Sequence, residues 1–216
     1  KLPNNIEELL QEYFGDLPNQ KPAERNYTIH PAAERKYRVI NDENGSQGSI
    51  RIARPFGNRH HPDFFKAQML NVVFGGFFGS RLMANIREDK GYTYGIHSYL
   101  MNNMNNNGWM ITTEAGRDVS EATIQEVYNE MQLLRDEPVD EEELSLVKNF
   151  MMGSILGDLD GPFHIIGRWK NIILNGLPDD FFDSTIQNIK NITPQELQET
   201  ANKYLVPEDF YELVVV

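Results

Sequence analysis

Arg87 and Tyr94 are the two side chains of this chain whose types and spacing suit a shared chemical task. They stand seven positions apart within residues 80–99, SRLMANIREDKGYTYGIHSY. A guanidinium offers a fork of N–H donors and a phenol offers one O–H, so the pair can address one ligand from two sides. Each residue also has an ordinary reading. An arginine near a helix end answers the helix dipole or joins an ion pair, and a strand tyrosine packs.

The elements that would position them are legible in the same stretch. Leu82, Met83 and Ile86 have the three-to-four spacing of a buried helical stripe. Arg87, Glu88, Asp89 and Lys90 break that stripe, and Gly91 supplies the backbone freedom to leave the helix. A strand rich in Tyr and Thr follows. Strict alternation places Tyr92, Tyr94, Ile96 and Ser98 on one face and His97 on the other, as a surface or satisfied residue. Arg87 and Tyr94 are thus expected at the two ends of one helix–strand corner.

Other chemistries fit less well. The five histidines are His30, His60, His61, His97 and His164, and no two have the one-turn spacing of a helical zinc site. HPAAER at 30–35 approaches the inverted motif H-x-x-E-H, but Glu34 comes one place late and Arg35 stands where a second ligand would be. VVFGGFFGSRL at 72–82 is glycine-rich, yet Ser80 is followed by Arg81 instead of completing the Lys-Ser/Thr ending of a phosphate loop. It reads as two helices meeting at a joint, with Ser80 as the second N-cap. The acidic run DEPVDEEE reads as a solvated loop and a helix start.

The totals narrow the field. The chain has 216 residues, is 40% hydrophobic and carries a net charge of −12, which supports a real core and disfavours nucleic acid or an anionic membrane as partner. Without cysteine, disulfides, Cys-ligated zinc and thiol catalysis are excluded, while bacterial cytoplasm and periplasm stay equally open. No apolar run approaches the ~18 residues of a membrane span.

Along the chain, residues 1–25 read as a short helix (Ile6, Leu9, Leu10, Tyr13) and a linker from a preceding domain, and residues 26–216 as one domain. Extended segments are expected at 27–30, 36–41 and 48–54, the last two joined as a hairpin through NDENGSQG and the third closed by Pro55. A helix is expected from about Pro62 (Phe65, Met69, Val72, Val73). A second hairpin joins 92–99 to 109–114 through NNMNNNG. Ile124, Val127, Met131 and Leu134 mark a further helix, capping boxes at Asp140/Glu143 and Thr193/Glu196 begin two more, and FYELVVV ends in a strand. Grouped rather than alternating elements indicate an α+β fold with a mostly antiparallel sheet packed against several helices.

The stretch 70–100, LNVVFGGFFGSRLMANIREDKGYTYGIHSYL, resembles the second-domain signature of the pitrilysin/insulinase-type inverzincin metallopeptidases. That family includes mitochondrial processing peptidase and bacterial zinc proteases. Gly75-Gly76, Ser80-Arg81-Leu82, Ile86-Arg87-Glu88, Gly91 and Tyr94 occur in the family's order and spacing, with Ile86 where Leu is commoner. The resemblance implies the metallohydrolase fold of mitochondrial processing peptidase and a substrate-binding C-terminal domain, inactive alone. It implies zinc on a homologous partner domain or subunit and none in this chain, with a peptide as substrate. It also implies that Arg87 and Tyr94 hold the substrate backbone and the developing oxyanion. Two alternatives stay open: a non-proteolytic scaffold subunit, as in the core proteins of ubiquinol–cytochrome c reductase, and a regulatory subunit completing another chain's site.

Overall fold

The computed structural model describes residues 3–18, 30, 32–103 and 107–216. They fall in two units, Lys1–Ala33 and Glu34–Val216. In the first, the apolar stripe of IEELLQEYF forms helix α1 (Ile6–Phe14), with Glu7 and Glu8 in the first turn, where the dipole favours carboxylates. The extended segment expected at 27–30 lies outside the described residues, His30 apart.

The second unit is built on five strands: β1 (Lys36–Val39), β2 (Gln47–Phe56), β3 (Thr93–Leu100), β4 (Asn107–Gly116) and β5 (Tyr211–Val215). Their order is β1-β5-β2-β4-β3, antiparallel except for β1 with β5. The hairpin expected between the strands at 36–41 and 48–54 is therefore not formed. The C-terminal strand inserts between them, pairing Tyr37 with Leu213 on one side and Arg51 with Leu213 on the other. The insertion brings Glu212 onto the inner face at 2% exposure, where Lys36, Arg38 and Tyr128 all reach its carboxylate. Local turn chemistry thus yields to long-range strand pairing. Pro55 sits inside β2, beyond the Ser49–Ala53 stretch that pairs with β5, and so does not end the strand.

Among its described residues are six α-helices, α2 (Phe64–Asn71), α3 (Ser120–Asp136), α4 (Glu141–Gly157), α5 (Pro162–Asn175), α6 (Phe181–Asn191) and α7 (Pro194–Tyr204), besides shorter π and 3-10 segments. The expected stripe of α3 is buried throughout, from Ile124 to Leu134. Thr193 and Glu196 form the reciprocal capping box of α7. Asp140 caps α4 by accepting from the Glu142 N–H, but Glu143 is drawn away to Arg81, so the second half of that box is absent.

The core lies between the helices and one face of the sheet. Ile50, Ile52, Ile96, Trp109, Ile111 and Val214 point into it and pack with helical residues such as Leu70, Phe74, Ile86 and Met131. The opposite face carries exposed or half-buried residues: Arg51, Tyr94, His97, Tyr99, Met110, Thr112, Glu114 and Leu213. This is a two-layer α+β architecture with one open sheet face. Among the described residues no helix is long and apolar enough to cross a membrane.

Candidate functional site

The corner between the helix at residues 81–89 and β3 is held at several points. Leu82, Met83 and Ile86 are buried as their spacing requires. Arg81 makes a two-pronged bridge to Glu143 of α4, Nε to Oε1 at 2.9 Å and NH2 to Oε2 at 2.8 Å. This bridge outweighs the cost of burial and holds the Arg81 pKa above its usual value. Asn85 donates to Glu130 at 2.7 Å and to Glu126 at 3.1 Å, both on α3. The Ser80 side chain makes no cap, its Oγ being buried with no protein partner.

From Met83 to Asp89 the helix takes the wider π form. The Lys90 N–H bonds five residues back to Asn85, and the Tyr92 N–H reaches Ile86 across Gly91 at φ +68°. Such π turns cost hydrogen-bond geometry and recur at functional positions. Arg87 lies on this segment, half-buried, its guanidinium 4.6 Å from the centre of the exposed Phe78 ring.

Tyr94 is placed by a bulge. Thr93 pairs with Ala115 but Ile96 with Thr113, so β3 spends one more residue than β4 between those points. Two hydroxyls replace the lost ladder. Thr93 Oγ1 bonds Thr113 Oγ1 at 2.8 Å and the Glu114 carbonyl at 2.7 Å, and Thr113 Oγ1 donates to the Gly95 carbonyl at 2.9 Å. The extra residue reverses the alternation. Tyr94 turns to the open face at 92% exposure while Ile96 and Ser98 remain buried, so the expected sharing of one face by Tyr94, Ile96 and Ser98 does not hold. For the same reason His97 shares Tyr94's side. Both line an open hollow of about 280 Å³ with Arg51, Thr112 and Glu114. Arg87 is not among the residues lining it. The sequence signal for the bulge is Gly95, an isolated glycine in a strand pattern.

Behind the corner, the glycine-rich joint packs against β3 at Gly75. After α2 the chain continues as a π turn, Val72–Gly76, interrupted at Gly75. A Cβ on Gly75 would lie 2.7 Å from Ser98 Cβ. Asn71 donates to the Ser98 carbonyl and accepts from its hydroxyl, which in turn accepts from Trp109 Nε1 at 2.8 Å. No phosphate cradle exists here, because the space is filled by β3. Nor does any group of three His, Cys, Asp or Glu side chains suited to a metal occur among the described residues. His60 is bonded to the Asn175 carbonyl, and His61 lies against the rings of Phe56 and Tyr204.

Comparison with known proteins gives a consistent result. The family described as "Peptidase M16 inactive domain" matches residues 3–151. A Helicobacter pylori protein named "Non-peptidase homolog YmxG" is 23% identical over 85% of this chain and 42% of its own length. A Bacillus subtilis protein named "Uncharacterized zinc protease YmxG" is 28% identical over 69% of this chain and 36% of its own. The chain therefore spans about two fifths of the curated relatives it matches. The crystal structure of a protease from H. pylori superposes on all of this chain and 53% of its own, with a TM-score of 0.85 at 14% identity. That likeness speaks to the fold.

Proposed function

The chain belongs to the peptidase M16 inactive-domain family, and from that premise we propose that it is the substrate-holding C-terminal half of a zinc endopeptidase. Arg87 and Tyr94 would act on a peptide lying against a zinc-bearing partner domain or subunit. Residues 1–25 would be the helix and linker that follow a preceding domain. The observation that carries the reading is Tyr94. A large aromatic side chain left 92% exposed, on a bulge held by the Thr93 and Thr113 hydroxyls, supports a role in contact with a ligand.

The chemistry suits the two side chains. The described residues offer no donor set for zinc, so the metal belongs to the partner in this reading, where it would supply an activated water. Attack on a peptide carbonyl builds negative charge on its oxygen. The Tyr94 phenol and the Arg87 guanidinium are donors at neutral pH and favour that charge without taking its proton. Arg87 also needs orientation, and its stacking over Phe78 supplies it. Tyr94 gains its fixed position from the bulge.

The test is peptide turnover by the protein together with its zinc-bearing partner. Tyr94→Phe and Arg87→Ala should each lower turnover at least about tenfold, toward the ~10²–10³ typical of a lost oxyanion donor. Thermal unfolding should be unchanged. Unaltered turnover in both variants refutes the role. A second reading has a specific support, since the H. pylori relative is named a non-peptidase homolog. In it the same surface serves a scaffold subunit, and the facing domain would carry no H-x-x-E-H.

A further inference from the structure

A cavity of about 320 Å³ opens among α2, α4, α5 and α6, in the helical layer and away from the Tyr94 hollow. Its size is at the lower end of the roughly 300–1,000 Å³ of small-molecule sites. Phe64, Phe181 and Phe182 contribute apolar walls, and two arginines from distant parts of the chain, Arg59 and Arg168, line the same space. The wall is therefore mixed, with guanidinium groups and aromatic rings bordering one space.

Neither arginine is fully answered by protein. Arg59 forms no ion pair among the described residues, and its Nε donates to the Asn102 amide oxygen at 3.4 Å. Burial holds its pKa below the usual arginine value. Arg168 NH2 donates to Asp158 at 2.8 Å and to the Ile155 carbonyl at 3.3 Å, and the guanidinium lies 4.4 Å from the Phe182 ring centre, while its Nε is buried with no partner. Arg59, Arg168 and Asp158 together leave one positive charge. One unit of charge matches a carboxylate better than a phosphate dianion, and the phenylalanine walls match an apolar group attached to it.

We propose that this cavity binds a carboxylate bearing an aromatic or branched apolar group, either a small free acid or the C-terminal residue of a peptide. The site is independent of the Arg87 and Tyr94 reading, since no residue is shared between the two hollows.

The experiment is calorimetric titration of the full-length protein with N-acetyl-phenylalanine, its amide, and inorganic phosphate. The acid should bind at least about tenfold more tightly than the amide or phosphate, because only the acid gives both guanidinium groups a charged acceptor while filling the apolar wall. Arg59→Gln should weaken acid binding by about tenfold or more. Arg59 is on a loop, so this variant keeps the test available if Arg168→Gln fails to fold. Ala-Ala-Phe with a free carboxylate separates the two sources: tighter binding than the single residue assigns a peptide end, and weaker binding assigns a small acid. Absent acid binding, equal binding of acid and amide, equal binding of phosphate, or an unaffected Arg59→Gln variant each overturns the site.

Discussion

Two buried glutamates of the second unit respond to pH in opposite senses. Burial alone would raise the pKa of Glu212, but the bonds from Arg38, Tyr128 and Lys36 outweigh it and hold the carboxyl below the usual range. Its contribution is present above the unfolded value of about 4.3 and is lost as pH falls through the lower folded value. Removing the charge also leaves three donors without it. Glu212→Gln should cost about 3 kcal/mol in urea unfolding at pH 7, within the usual penalty for breaking a buried pair. Glu130 differs, because burial raises its pKa despite the bond from Asn85. The folded state holds that proton more tightly, so stability falls as pH climbs from the unfolded value to the higher folded one. Glu130→Gln keeps an oxygen for Asn85 and removes the charge. Its stability relative to the parent should rise between pH 4 and pH 7, and a flat difference across that range would show that burial does not govern this group.

At the scale of elements, the corner depends on how closely the joint approaches β3. A methyl on Gly75 would meet Ser98 Cβ at 2.7 Å, Leu82 Cδ1 at 2.8 Å and the Ser98 backbone nitrogen at 3.0 Å. The backbone atom cannot turn aside as a side-chain tip could. Gly75→Ala should therefore destabilise by about 1–3 kcal/mol, measured by thermal or urea unfolding. Gly91→Ala tests the other end, since its φ of +68° opposes any Cβ although nothing lies within 4 Å. Much of this was legible from residues. The stripe Leu82, Met83, Ile86, the turn at Gly91, the capping pair Thr193/Glu196 and the hairpin of β3 with β4 all follow from local chemistry, and the structure contains them. What alternation could not supply was the reversal at Tyr94. Period-two reasoning assumes an unbroken ladder, and the bulge adds a residue whose hydrogen bonds come from Thr93 and Thr113. The position of β5 between β1 and β2 was hidden for a different reason. It rests on pairing and on contacts, such as Glu212 with Lys36 and Arg38, between residues more than 170 positions apart in sequence, which no turn signal encodes.

At the scale of the second unit, its described helices pack on one face of the sheet, and the other face presents aromatic and polar side chains together around Tyr94. Such a face can orient a chain laid across it, but hydrolysis also needs an activated water. The described residues bring no three metal-ligating side chains together. In the substrate-holding reading, hydrolysis is a property of a pair. Expressed alone, the 216 residues should carry well under one zinc per chain after dialysis against a weak chelator. They should also show no peptide hydrolysis when zinc is added back. Combined with a zinc-bearing partner, turnover should appear and track the partner's metal content, while Tyr94→Phe lowers the rate without changing that content. Elemental analysis measures the metal and a fluorogenic peptide the turnover. One tightly held zinc per isolated chain would place the metal on this unit and reverse the division of labour between the two halves.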